Sequence, residues 1–285
     1  MLRHIEHFIL VILLILFLAA LPTIINVNNQ SIDWNFELLP KVYQSFFSEL
    51  SKGSLGTYQL GSQTRMISED IGNNFWMSLK IVIVGVITSI IVSLLFGLFI
   101  SRFWFTRIFN LLLNILSAIP DFILIVFSMV LAILFYKVTG IRIISFRPDA
   151  GPLNTWFPTL LIGISPTLYL FKNISVKYYQ SSSEDYVRTG VSKGLSTHYL
   201  NTQHIYLNIE PFILSELKKV ISIAIGNLFI VEYIMNVSGI TKFIFQSNEI
   251  QPIAIGLFLI LAISIIVFFS VRLLLYVFKR GFIHE

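Results

Sequence analysis

Phe75–Ile100 reads FWMSLKIVIVGVITSIIVSLLFGLFI, and Lys80 is its only charged residue. A helix needs about 20 mostly apolar residues to cross the hydrocarbon core of a bilayer. From Ile81 to the first following charge at Arg102 the chain meets that requirement without interruption. The stretch places the protein in lipid, and the rest of the chain repeats the pattern.

Apolar residues make up 55% of the 285 positions, and only 12% are Asp, Glu, Lys or Arg. Soluble domains carry about a quarter charged residues to cover a core of this size; here half of that shell is missing. The chain has no cysteine, which excludes disulfides, thiolate metal sites and thiol chemistry. The net charge of +5 reads as membrane orientation. The Lys and Arg residues are scattered rather than gathered on the basic face that nucleic acid needs, so no nucleic-acid partner is expected.

Outward from Phe75–Ile100, five more crossings bring the expected total to about six in an all-α membrane protein. The first runs from about Ile5 to Ile25; its basic start at Arg3 and its small residues Ala19 and Ala20 also suit a cleaved leader. The third apolar block, Ile108–Tyr136, is longer than one crossing, and Pro120 divides it into a lead-in over 108–117 and a span over 118–136. The fourth covers about Leu153–Phe171 and contains Pro158 and Pro166. The fifth, about Phe212–Met235, is interrupted early by Glu216, Lys218 and Lys219. The sixth, Pro252–Phe278, is apolar apart from Arg272.

Polar segments divide the chain. Residues 1–74 hold the first span and an extracytoplasmic segment, with a short helix expected over Phe36–Leu50 and a Gly/Ser-containing loop over Gly53–Gly61. Residues 75–285 form a five-helix core, with a short connector over 137–152 and a cytoplasmic loop at 172–211. With the N-terminus inside, Arg3, Arg102, Arg107, Lys172, Lys177, Arg188, Lys193, Lys279 and Arg280 are cytoplasmic, nine in all. Lys41, Lys52, Arg65, Lys137, Arg142, Arg147 and Lys242 are outside, seven in all. Nine against seven leans towards both termini being cytoplasmic.

Enzymatic signatures are missing. There is no G-x-x-x-x-G-K-[ST] loop to cradle ATP phosphates and no H-E-x-x-H motif. The histidines at 4, 7, 198, 204 and 284 lack metal-ligand spacing, so no metal site is expected. Gly163-Ile164-Ser165-Pro166 fails the nucleophile-elbow pattern at its last position. No catalytic residue is assigned.

The longest polar loop holds Glu184–Pro211, EDYVRTGVSKGLSTHYLNTQHIYLNIEP. Ser183 suits an N-cap with Glu184 and Asp185 in the first helical turn. Lys193-Gly194 marks the helix end, the glycine being suited to a left-handed cap. A second helix would carry His204 and Asn208 on one face, four residues apart, before Pro211. The residues alone also allow a solvated amphipathic loop with no further role.

This loop resembles that of the oligopeptide/dipeptide/nickel permease family, the transmembrane subunits of ATP-binding-cassette importers. The family pattern is close to E-D-Y-V-R-T-A-R-A-K-G-L-S, then a His, an Asn four residues later and a Pro. Glu184, Asp185, Tyr186, Val187, Arg188, Thr189, Lys193, Gly194, Leu195 and Ser196 match in register, and His204 and Asn208 stand at the expected distances. Gly190 replaces a small Ala, Pro211 comes one residue early, and Glu210 stands where an apolar residue is usual. Gly53-Ser54-Leu55-Gly56 resembles the family's G-D-L-G. Ala118-Ile119-Pro120-Asp121-Phe122 resembles its I-P-x-F. Val231-Glu232-Tyr233-Ile234 with Ser238-Gly239-Ile240 resembles its T-E-x-I-F-x-x-P-G-L, with Ser238 in place of the Pro.

The resemblance implies a type I importer permease fold in the cytoplasmic membrane, without catalysis or cofactor in this chain; ATP is used by partner subunits. It implies that Glu184, Asp185, Tyr186, Arg188, Thr189, Lys193, Gly194, Leu195 and Ser196 form the surface that couples to the ATPase, with Arg188 and Lys193 offering charge. The implied partners are a second, different permease chain, two cytoplasmic ATPase subunits and an extracytoplasmic substrate-binding protein. Cargo delivered by that protein would be peptides, or nickel and metal chelates. Asp121 and Glu232 are expected either to line the pathway or to be satisfied at helix contacts, because ionisable groups at depth face protein or water. Arg272 fits either an interior pairing or snorkelling to the inner surface. A non-transporting assembly or sensory component with the same fold, or an ion-gradient transporter, would share the spans but give the loop no ATPase to meet.

Overall fold

The computed structural model describes residues 2–28, 31–100, 111, 113 and 115–282. Arg102, Arg107 and most of the expected 108–117 lead-in lie outside the described residues. In order, the chain forms α1 (Leu2–Ile24), β1 (Ile25–Asn28), β2 (Ser31–Trp34), α2 (Leu39–Ser51), β3 (Thr57–Leu60), β4 (Gln63–Met66), α3 (Ile67–Leu95), α4 (Asp121–Thr139), α5 (Trp156–Ser182), α6 (Asp185–Ser192), α7 (Thr197–Leu200), α8 (Tyr206–Ile234), α9 (Ile240–Phe245) and α10 (Ile250–Phe282).

Among the described residues, five helices, α1, α3, α4, α5 and α10, are long and apolar enough to cross a membrane. The remaining expected crossing, α8, has the length of a span, but Glu210, Glu216, Lys218, Lys219 and Glu232 keep its composition below that standard. Several helices overrun the ends read from hydropathy. α3 starts at Ile67 rather than Phe75, with Glu69 and Asp70 in its first turn, where acidic side chains complement the helix dipole. α5 continues past Phe171 to Ser182, so Lys172 and Lys177 ride on a helix rather than in a loop. Pro120 does break the third apolar block: helix stops at Ala118, and α4 restarts at Asp121.

Contacts gather the chain into two compact units, Met1–Ser78 with Ser238–Ile263, and Leu79–Val237 with Ser264–Glu285. In the first unit, the Tyr43 hydroxyl of α2 donates to the Leu16 carbonyl of α1 at 3.4 Å, and burial pushes its phenol up. Ala19 and Ala20 of α1 are wholly buried, so the small pair serves close packing. Two antiparallel hairpins, β1–β2 and β3–β4, stand where hydropathy indicated only loop. The second turns at Gly61, whose φ of +63° a side chain would strain, and pairs Thr57 with Met66. It carries Tyr58 into a small core with Ile67 and Phe243, the two rings meeting edge-on at 5.0 Å. Tyr58 donates to Asp70 at 2.8 Å, and Arg65 pairs with the other Asp70 oxygen at 3.2 Å. Burial first, then the Asp70 carboxylate, pushes the Tyr58 phenol up to about 12.

The second unit is built on α5. Against α3 it packs through small residues: a Cβ on Gly85 would stand 3.0 Å from the Thr159 carbonyl, and one on Gly163 would stand 3.1 Å from the Gly85 carbonyl. Such close approach is how helices associate where no hydrophobic effect drives them together. One and two turns further along α3, the Ser89 and Ser93 hydroxyls donate to the Gly163 and Thr167 carbonyls at 2.8 and 3.1 Å. Against α8, α5 makes its most extensive packing. Ile213, Leu217, Val220, Ala224 and Leu228 recur every three or four residues on α8 and are all buried, one continuous apolar stripe.

Candidate functional site

α5 hands over to the polar loop at Ser183. The expected N-cap at Ser183 shifts by one residue: Ser183 keeps helical backbone angles, closes α5 and donates its hydroxyl to the Gln180 carbonyl at 2.8 Å. Glu184 is the extended N-cap of α6, and Asp185 opens the helix. α6 then ends in a Schellman turn. The Gly194 amide donates to the Val191 carbonyl at 2.9 Å and the Leu195 amide to the Gly190 carbonyl at 3.1 Å. Gly194 itself takes φ +78°. Nothing lies within 4 Å of where its Cβ would be, so the backbone conformation alone asks for glycine there.

Beyond the turn, Ser196 caps α7, its hydroxyl accepting from the Tyr199 amide at 3.3 Å. Leu200 packs onto Gly190; a Cβ on Gly190 would stand 2.5 Å from Leu200 Cδ2. The departure from Ala at 190 therefore makes room for a leucine that is 2% exposed. A π-helical segment, Asn201–Ile205, leads into α8. His204 and Asn208 do share a face: Asn208 donates to the Tyr186 hydroxyl at 2.7 Å, and the His204 ring meets those of Tyr199 and Tyr186 at 5.9 and 6.4 Å. α8 starts at Tyr206 and runs through Pro211, so the expected second helix and the fifth span are one element.

The loop thus has an anchored side and a bare side. Val187, Gly190 and Leu200 face inward. Glu184, Asp185, Tyr186, Arg188, Thr189, Lys193, Gly194, Leu195 and Ser196 are all exposed, as is Val191 at 62%. Arg188 and Asp185 pair at 3.7 Å in full solvent, an arrangement that contributes little to stability and leaves both charges available.

Two anchors were not legible in the loop itself. Asn201, buried, donates its amide to the Leu98 carbonyl at 2.9 Å and accepts from the Tyr178 hydroxyl at 3.4 Å. Leu98 lies in the π-turn Phe96–Ile100 that follows α3, so one side chain ties the loop to α3 and α5. Glu210, buried in the second turn of α8, faces Lys279 of α10 at 3.2 Å, and Tyr206 stacks obliquely on Phe278 at 5.1 Å. The acidic residue at this unusual position is matched by a basic one from the last turn of α10.

The carboxylates expected at depth differ in setting. Asp121 is the first residue of α4, half-buried, where its charge complements the helix N-terminus. Glu232 has no exposed surface and lies inside the packing at the end of α8. A cluster at neither position joins Tyr169 of α5 to α8: its hydroxyl donates to Glu216, and the Lys219 ammonium sits 4.5 Å above its ring.

Residues 89–282, from within α3 to the end of α10, match the sequence profile of a family described as the binding-protein-dependent transport system inner membrane component. No curated protein matches the chain.

Proposed function

This chain belongs to the family of binding-protein-dependent transport system inner membrane components, the permease subunits of ATP-binding-cassette importers, and on that premise we propose that it forms half of a translocation path for peptides. Nickel or a metal chelate is the other cargo class the loop motif suggests. A multi-pass membrane subunit of this family works with ATPase subunits and an extracytoplasmic binding protein. In the proposed assembly a second, different permease supplies the other half of the path, two ATPases dock from the cytoplasm, and both termini are cytoplasmic.

The observation that carries the reading is the bare face of the loop on a rigid base. A lever must transmit closure of the ATPase dimer to the spans, which requires a docking surface held stiffly to several helices. The exposed residues of α6 and its Gly194 turn offer the surface. Asn201, Tyr186, Asn208 and Leu200 supply the stiffness. Rocking of two permease halves about a central site then exposes cargo to one side at a time.

The cargo is tested by removing the chain from its host and following energy-dependent accumulation of a radiolabelled tripeptide and of nickel ion. Loss of tripeptide accumulation with nickel unchanged is the expected result. Loss of nickel accumulation alone would move the assignment to metal, and no change in either would contradict an importer of this type.

A further inference from the structure

The outer faces of the spans differ in kind. On α4 the exposed residues from Phe122 to Leu131 are Phe122, Ile123, Val126, Phe127, Val130 and Leu131, a face made for lipid. On α8, between Asn208 and Gly226, every exposed position is polar, Gly or Pro: Asn208, Pro211, Ser215, Lys218, Lys219, Ser222 and Gly226. Their spacing of three or four residues puts them on one face, opposite the buried stripe from Ile213 to Leu228. Lys218 lies about 18 Å along the helix from Tyr206 and about 24 Å from Ile234 at the usual rise per residue. Lysine at such depth faces protein or water rather than lipid.

The charges on this face do not cancel. Glu216 is engaged by the Tyr169 hydroxyl, and Lys219 lies over the Tyr169 ring. Lys218 makes no ion pair among the described residues. Covering two ammonium groups with a second protein surface would cost their hydration unless it brought carboxylates. Water in a transport path has no such cost.

We propose that the α8 face from Asn208 to Gly226 is a wall of the aqueous path, and that Lys218 and Lys219 form a cationic site for an anionic, carboxylate-bearing group of the cargo. The proposal rests on the importer reading and adds the charge that the path selects. A peptide carboxylate and an anionic metal chelate share that chemistry. Glu232, enclosed in protein, takes no part in this site; Glu216 and Tyr169 position Lys219 beside it.

The absence of cysteine makes the test direct. Single cysteines are placed at Ser215, Ser222 and Gly226, with Phe127→Cys on α4 as a lipid-facing control, in the full chain in cell membranes. Each is reacted with a sulfonate-bearing and a trimethylammonium-bearing methanethiosulfonate. The account predicts labelling at all three α8 positions but not at Phe127→Cys. It further predicts that the anionic reagent is favoured at Ser222→Cys on the order of tenfold over its ratio in the Lys218→Gln, Lys219→Gln background, because a lined cleft focuses the field of its charges.

Labelling at Ser215→Cys alone would mean that the lysines reach lipid phosphates at the inner surface, and would overturn the proposal. So would labelling at all three positions without the anion preference. Should the double variant fail to reach the membrane, each single Gln variant gives the same ratio with a smaller shift. Whether ATPase subunits co-purify is read separately, so a failed wall and a failed importer are told apart.

Discussion

At the end of α6, Gly194 takes φ +78°, and the amides of Gly194 and Leu195 return to the Val191 and Gly190 carbonyls. At the end of α8, Asn236 takes φ +55°, and the amides of Asn236 and Val237 return to the Tyr233 and Glu232 carbonyls. The two Schellman turns share a hydrogen-bond pattern. Their surroundings are opposite. Around Asn236 the turn is stitched down: Asn154 donates to the Met235 carbonyl at 3.3 Å and to the Ser145 carbonyl at 2.9 Å, and Asn236 donates to Phe146 at 3.0 Å. Around Gly194 nothing approaches within 4 Å of the Cβ position. A turn that closes a structural joint is held by side chains of its own chain, whereas one left bare at the tip of an anchored loop suits a partner.

The comparison can be broken at the stitched turn first. Asn154→Ala removes two hydrogen bonds from a buried site and should destabilise the protein by about 2 kcal/mol, the loss expected for two such bonds. Its melting temperature in detergent would show this, and an unchanged value would mean that the stitching is ornamental. At the bare turn, Gly194→Ala imposes only the left-handed backbone strain, about 1 kcal/mol. The expected signature is a small drop in melting temperature with membrane levels kept. A drop as large as that of Asn154→Ala would reveal contacts that the bare face should not have. The smallest effect belongs to Asn236→Gly, where relief of backbone strain offsets loss of the bond to Phe146; stability should change by less than about 1 kcal/mol.

What hydropathy made legible was whatever lipid selects for. The crossings α1, α3, α4, α5 and α10 stand out because a bilayer tolerates little but apolar side chains over that length. α8 reads poorly for the same reason: its polar face, which the structure leaves uncovered, dilutes the signal. The β3–β4 hairpin was invisible because TYQL and QTRM carry no clean alternation, and its packing rests on Tyr58 meeting Ile67 and Phe243, with Leu60 partly buried against them. In the loop, Glu184 to Ser196 was legible through its motif, and the Gly194 turn through the demand of a left-handed residue. Asn201 was not, since its partner at Leu98 lies 103 residues away; Asn154, 81 residues from Met235, was hidden in the same way. The Lys and Arg tally left orientation only leaning, and Arg102 and Arg107, which contribute to it, fall outside the described residues.

The central claim is that the bare face around Gly194 meets an ATPase. A pull-down of the tagged chain in mild detergent, wild type beside Gly194→Arg, with partners identified by mass spectrometry, tests it most directly. The account predicts that the wild type brings down an ATPase and a second permease, and that Gly194→Arg reaches the membrane in normal amount but retains the ATPase at a tenth of that level or less, a difference of about 1.4 kcal/mol or more in binding. Equal recovery of the ATPase by both, or a wild-type chain that comes out folded and alone, would contradict it.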